Sequence, residues 1–193
     1  MVVEPQVYDN FFANPDAVRE FALRQPFWDC SYKSVTSGHW PGRRTLFVHW
    51  INSTIFDEFI VTLRERLGLA DDARIYVESF FQSCNRHDGN SWVHQDVFDL
   101  DKTHVGVIYL NPDPPPNSGT LIYDPIPGRD QQPGYDKSLP EHYTVRLNME
   151  NRYNRMVCYA PEHFHKSDEY FGEGVEDGRL FMVFFMRVEE CPV

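Results

Sequence analysis

Three side chains able to share one metal ion stand out in this 193-residue chain. The stretch Ser91-Trp92-Val93-His94-Gln95-Asp96 places an imidazole and a carboxylate at i and i+2. In extended backbone such positions point to the same side, so one short strand offers two ligands to one ion. A third ligand is available much later, in Ala160-Pro161-Glu162-His163-Phe164-His165. There His163 and His165 are themselves two apart and both qualify. Two imidazoles and one carboxylate on one face of an octahedron, with open positions opposite, form the non-heme Fe(II) arrangement of oxygenases. By itself the His-x-Asp spacing carries little weight, because an acidic chain with 8 histidines produces it by chance. A further charged group, Arg179, heads a run of apolar residues, Leu180-Phe181-Met182-Val183-Phe184-Phe185. A guanidinium there is costly unless paired, and a bidentate carboxylate satisfies it best. An ion pair with one of the 29 acidic residues is the plain alternative.

The elements that must position these groups are those of one folded domain, expected to span residues 1–193. Apolar residues make up 41% and aromatics 15%, enough for a buried core and against disorder. The net charge of −11 repels phosphate backbones, which argues against nucleic acid as a partner. No apolar run approaches membrane-spanning length, and Met1-Val2-Val3-Glu4-Pro5 lacks the blocks of a signal peptide. Cys30, Cys84, Cys158 and Cys191 show no CxxC spacing, so reduced thiols in a cytoplasmic protein are expected.

Asn14-Pro15-Asp16 starts a helix, with a capping side chain, a proline in the first turn and an early acid, running to Leu23 with Val18, Phe21 and Leu23 inward. Ile55, Phe56, Phe59, Ile60, Leu63 and Leu67 recur at helical spacing and predict a second helix over Ser53–Leu67, stopped by Gly68. From Arg74 the pattern changes to short runs rich in Val, Ile, Tyr and Phe. Strands are predicted at Ile75–Gln82, Val105–Leu110, Thr120–Tyr123, Thr144–Leu147, Arg155–Tyr159 and Leu180–Val188. Helices followed by strands give an α+β class: residues 1–73 mainly helical support, residues 74–190 a sandwich or barrel with the helices on one sheet. The stretch Asp124 to His142 reads as a long loop and candidate lid.

With these residues in view, the chain resembles the Fe(II)- and 2-oxoglutarate-dependent oxygenases, above all the prolyl-4-hydroxylase-like branch and its small phage and bacterial relatives. The resemblance covers residues 75–188, and more weakly Pro41-Gly42-Arg43-Arg44-Thr45. His94 and Asp96 fall on the family's His-x-Asp. Val107-Ile108-Tyr109-Leu110-Asn111 and Gly119-Thr120-Leu121-Ile122-Tyr123 are similar to the two strands that follow it. Asn154 to Tyr159, with Phe164-His165-Lys166-Ser167, is similar to the segment carrying the distal histidine, and Gly178-Arg179-Leu180 onward to the last core strand. A single glycine, Gly119, stands where many relatives have two.

The resemblance implies a double-stranded β-helix, or jelly roll, with Fe(II) held by His94, Asp96 and His165 in its mouth. It selects His165 over His163, and it implies that Arg179 holds the distal carboxylate of 2-oxoglutarate while Tyr109 donates a hydrogen bond to it. The expected activity is a dioxygenase that hydroxylates an unactivated C–H of an amino acid, a peptidyl residue such as proline, or another small molecule, consuming dioxygen. The intact Asp96 disfavours halogenation, whose enzymes vacate that position for chloride. The rival readings are a cupin-like metal-binding protein that does not use 2-oxoglutarate, a nucleic-acid-modifying oxygenase, and a binding module without activity. Trp92, Phe80, Phe81, Phe184 and Phe185 read as core, and Ser167 and Asn111 as possible ligand contacts. His39, His49, His87, His104 and His142 read as bystanders.

Overall fold

The computed structural model describes residues 3–29, 40–89, 91–97, 102–129 and 140–189. Among the described residues, ten strands form two antiparallel sheets. In chain order they are β1 (Gln6–Tyr8), β2 (Trp28–Asp29), β3 (Arg43–Phe47), β4 (Arg74–Cys84), β5 (His104–Tyr109), β6 (Thr120–Pro125), β7 (Tyr143–Met149), β8 (Met156–Tyr159), β9 (Phe164–Ser167) and β10 (Arg179–Glu189). The larger sheet has the order β1-β8-β5-β10-β4-β3-β2, and the smaller one β7-β6-β9. Two facing antiparallel sheets with this crossing order make the jelly roll expected from the sequence.

Among the described residues, three helices precede β4: α1 (Pro15–Leu23), α2 (Val48–Ile51) and α3 (Ser53–Leu67). Asn14 caps α1 by accepting from the Ala17 amide, and Gly68, at φ +62°, ends α3 in the left-handed region as a glycine can without strain. Both helix bounds match the periodicity. The predicted strands β4 to β8 and β10 lie where expected, with ends shifted by one or two residues. Three strands escape sequence reading: β1 and β2 are only 3 and 2 residues long, and β3, with the sequence Arg-Arg-Thr-Leu-Phe, begins on charge. β9, 4 residues long, is met in the sequence only through the family resemblance. Consequently the first 73 residues contribute strands as well as helices, and β3 pairs with β4 in the large sheet.

Strand alternation divides the core in two. On β10, Leu180, Met182, Phe184 and Met186 face α1 and α3, packing with Val18, Phe59, Leu63 and Phe81. Phe181 and Val183 face inward, toward the small sheet, with Phe80, Val107, Tyr109, Ile122 and Tyr159. Gly106 on β5 is required by close packing: a Cβ there would collide with the Val157 carbonyl and the Phe184 ring. The N-terminal segment is tied down by Asn154, whose amide both accepts from the Phe12 N–H and donates to the Phe12 carbonyl at 2.8 Å, and by Arg155, paired with Asp9 at 2.6 Å.

Among the cysteines, Cys84 and Cys158 are buried thiols, while Cys30 and Cys191 lie outside the described residues. So does most of the expected lid: β6 extends to Pro125 and β7 begins at Tyr143, with residues 130–139 undescribed. Because Phe59 is fully buried on the helix side of the large sheet, Phe59→Ala is expected to cost about 3–5 kcal/mol of stability in urea denaturation. It should leave metal affinity unchanged, since the inward face does not touch it.

Candidate metal centre and its cavity

β9 is held by β6, with Ile122 opposite His165. On its other side it receives the His-x-Asp segment through an isolated antiparallel bridge, in which the His94 N–H donates to the His165 carbonyl at 3.0 Å and the His165 N–H to the His94 carbonyl at 2.8 Å. Residues directly opposite in such a pair project to one face, so the two imidazoles stand 4.2 Å apart between centroids. Asp96, two residues on, projects to the same face and is fixed by its own amide, which donates to the Pro161 carbonyl at 2.9 Å. One potential ligand atom from each of His94, Asp96 and His165 lies within 4.8 Å of the others, and all three residues are buried. Nε2 of His165 is 3.3 Å from Asp96 Oδ2, and Nε2 of His94 is 3.9 Å from Oδ1.

The tautomers follow from the second nitrogens. His94 Nδ1 lies 2.8 Å from the Trp92 carbonyl, and His165 Nδ1 lies 2.9 Å from the His163 carbonyl. A carbonyl only accepts, so both Nδ1 atoms carry a hydrogen and both Nε2 atoms are turned toward Asp96. Backbone support of this kind sets ring orientation at metal sites. Burial, reinforced by the neighbouring His165, pushes the His94 pKa down to about 4, so its imidazole is neutral, as a ligand must be. The donor set, two imidazoles and one carboxylate, fits Fe(II) with positions left open.

His163 is not part of this group. Its Nε2 donates to the Val3 carbonyl at 3.0 Å and its Nδ1 is 3.3 Å from Arg146, so its ring is engaged with the N-terminal segment. His163 precedes β9, whereas His165 lies within it.

Arg179 and Tyr109 lie side by side on the inward faces of β10 and β5. Arg179 is 1% exposed. Its Nε donates to the Ser118 carbonyl at 2.8 Å and its Nη2 to the Gly119 carbonyl at 3.1 Å. Its Cζ is 4.5 Å from the Phe181 ring centre and 5.4 Å from that of Tyr109. Nη1, equally buried, has no hydrogen-bond partner among the described residues. The Tyr109 hydroxyl is 2.8 Å from Thr120 Oγ1, and burial raises its pKa more than the Arg179 charge lowers it. Neither Arg179 nor Tyr109 reaches the surface of the cavity above the metal group; Phe181 and Thr120, in contact with them, do.

That cavity brings in residues that sequence reading left out. Trp40, Arg44, Gln82, Tyr159 and Tyr170 line it, as do Ser167 and Phe185, the latter having read as core. Trp40 meets the His94 ring edge-on at 4.8 Å, and the Tyr159 ring lies 4.8 Å from that of His165. Trp92, 6.1 Å from His94 between ring centres, flanks the site. Asn111 plays a structural part, bridging the Gly178 carbonyl and the Leu180 amide at 2.8 Å each.

No protein-family model and no curated protein matches this sequence. Solved structures do match. An oxidoreductase of the 2OG-Fe(II) oxygenase family from Burkholderia pseudomallei superposes with a TM-score of 0.60 at 14% identity, over 95% of this chain and 84% of that one. The fold is that of the Fe(II)- and 2-oxoglutarate-dependent oxygenases. A Trichoplax adhaerens prolyl hydroxylase, solved with a hypoxia inducible factor peptide fragment, gives a TM-score of 0.60 at 14% identity over 95% and 83% of the two chains. HygX from Streptomyces hygroscopicus, solved with nickel and 2-oxoglutarate, gives 0.57 at 14% identity over 96% and 83%. The jelly roll and α+β class expected from the sequence are therefore those of this oxygenase fold, and the three-residue group lies between its two sheets.

The geometry separates the two candidate histidines experimentally. In anaerobic calorimetry with Fe(II), His165→Ala is expected to weaken metal binding by about tenfold or more, whereas His163→Ala stays close to the unsubstituted protein. Equal losses would place the third ligand at neither residue alone.

Proposed function

We propose that this protein is an Fe(II)- and 2-oxoglutarate-dependent dioxygenase that hydroxylates an unactivated C–H of an amino acid, a peptidyl residue (proline included) or another small molecule. The observation that carries the reading is the buried His94, Asp96 and His165 group with both Nδ1 atoms bonded to carbonyls. The oxygenase fold supports it.

In this reading His94, Asp96 and His165 hold Fe(II). Arg179 anchors the distal carboxylate of 2-oxoglutarate. Its one unpartnered nitrogen, Nη1, supplies a donor in a buried setting where a charge otherwise faces only carbonyls and rings. Tyr109, whose hydroxyl pairs with Thr120 Oγ1, adds a second donor to that carboxylate. When bound, iron and 2-oxoglutarate supply oxidation by dioxygen, with loss of carbon dioxide, formation of succinate and insertion of one oxygen atom into the substrate C–H. The chain's own residues orient and shield. Backbone carbonyls hold the two imidazoles, and Trp40, Tyr159 and Phe181 exclude water from the space beside them. Asp96 keeps the carboxylate position filled, which supports hydroxylation over halogen transfer.

Among the described residues no helix is long and apolar enough to cross a membrane. The buried thiols of Cys84 and Cys158 support a reducing, cytoplasmic setting. The charge of −11 supports a small molecule or peptide over a nucleic acid.

The test is anaerobic addition of 2-oxoglutarate to Fe(II)-loaded protein, reading the weak visible charge-transfer band of the chelate. The band is expected for the unsubstituted protein, with a midpoint raised about tenfold or more in Arg179→Ala. Bound iron without a band would move the cupin-like reading to first place.

A further inference from the structure

A tyrosine hydroxyl stands beside the metal group with no part in holding the fold. The strand that carries it, β8, alternates as β10 does: Met156 and Cys158 face the helices, while Val157 and Tyr159 face the small sheet. Tyr159 pairs with Val105 on β5, and both line the metal cavity. Its ring is 4% exposed and lies 4.8 Å from the His165 ring, tilted by 55°. Two residues further on, the Pro161 carbonyl accepts from the Asp96 amide at 2.9 Å. Tyr159 is thus fixed by the same short stretch of chain that fixes one metal ligand, and its ring packs on another.

The other inward tyrosines have partners. The Tyr109 hydroxyl is 2.8 Å from Thr120 Oγ1, and that of Tyr170 pairs with the Ser167 and Ser91 hydroxyls. The Tyr159 hydroxyl forms no hydrogen bond among the described residues. Burial first, and the Asp96 charge second, hold its pKa well above the ordinary value, so it keeps a proton to donate. An unpaired hydroxyl in a buried setting is destabilising, and a phenylalanine would fill the same space without it. The packing of β8 therefore accounts for the ring and not for the oxygen.

We infer that Tyr159 is a ligand-positioning residue of the metal centre, its hydroxyl donating a hydrogen bond to an oxygen atom of a chelating anion bound at the open metal positions. This rests on the dioxygenase reading above and adds to it a contact beside the metal, separate from Arg179 and Tyr109. An anion gripped only at its far end can meet the open positions in more than one way. A donor fixed against His165 selects one of them, and a charge-assisted hydrogen bond in a buried setting is strong enough to do so.

The probe is acetohydroxamate, a small anion that chelates through two oxygens and is too short to need Arg179. It is added to protein loaded with Co(II), whose visible absorption reports coordination. Imidazole, which binds through nitrogen and offers no oxygen acceptor, is the comparison. Tyr159→Phe removes the hydroxyl and keeps the ring. The variant is expected to bind Co(II) and imidazole as the unsubstituted protein does, and acetohydroxamate about tenfold more weakly. Equal hydroxamate affinity in the two proteins overturns the inference. So does an equal loss for both ligands, which would make Tyr159 a packing residue only. A second measurement needs no variant. In Zn(II)-loaded protein carrying 3-fluorotyrosine, one fluorine NMR line is expected to move further with acetohydroxamate than with imidazole, and the absence of any such line overturns the inference. Absence of the Fe(II)–2-oxoglutarate band is instead a failure of the dioxygenase reading. The hydroxamate comparison uses neither iron nor 2-oxoglutarate, so the two failures are told apart.

Discussion

The pair of backbone hydrogen bonds between His94 and His165 joins two segments far apart in sequence, and the metal group depends on it. Neither segment is a long strand. β9 has four residues, and the His-x-Asp segment meets it through a single bridge. What holds them is their neighbours: β6 pairs β9 along its whole length, β7 pairs β6, and the Asp96 amide is caught by the Pro161 carbonyl. Because opposite residues in an antiparallel pair share a face, the bridge alone decides that both imidazoles point inward together. The same strand geometry supplies the tautomer. Each histidine finds, two residues earlier, a carbonyl for its Nδ1. One local motif repeated on two paired segments thus generates two equivalent Nε2 donors, with Asp96 as the third corner.

The large sheet keeps this polar group compatible with a folded core by separating its two faces. Residues of β10 that point to the helices are uniformly apolar, and they carry the packing with Phe59, Leu63 and Phe81. The inward residues are mixed, and Arg179 among them is fully buried. Carbonyls of Ser118 and Gly119 satisfy two of its nitrogens and two aromatic rings lie against its plane. Among the described residues no carboxylate forms an ion pair with it, so its burial carries a cost that an anion placed there would offset and that hydrophobic packing alone does not.

The parts legible in the sequence are those governed by local periodicity. The helix over Ser53–Leu67 was readable because six apolar residues recur at helical spacing and Gly68 ends them. The strands β4, β5 and β10 were readable because their apolar runs are long. β3 was not, since a segment beginning on two arginines carries no apolar alternation; its pairing with β4 and the buried Gln82 turn Arg44 inward. Trp40 was likewise invisible, because an isolated tryptophan near proline and glycine carries no pattern. The choice between His163 and His165 could not be made from spacing. Family resemblance favours His165, and His165 is the histidine that stands with His94 and Asp96, while the His163 ring is engaged by the Val3 carbonyl.

Depth distinguishes the two arginines of the inward face. Arg179 sits behind Phe181 and Thr120, while Arg44 is half-buried in the cavity wall itself. Different neighbours hold the two groups: carbonyls of Ser118 and Gly119 for Arg179, and Gln82 with the Phe80 ring for Arg44. A charge-assisted hydrogen bond is stronger where water is excluded, so an anion reaching Arg179 would be held more tightly than one reaching the cavity wall. Depth alone, set by which strand and which face each arginine occupies, therefore gives one sheet two cationic environments of different strength.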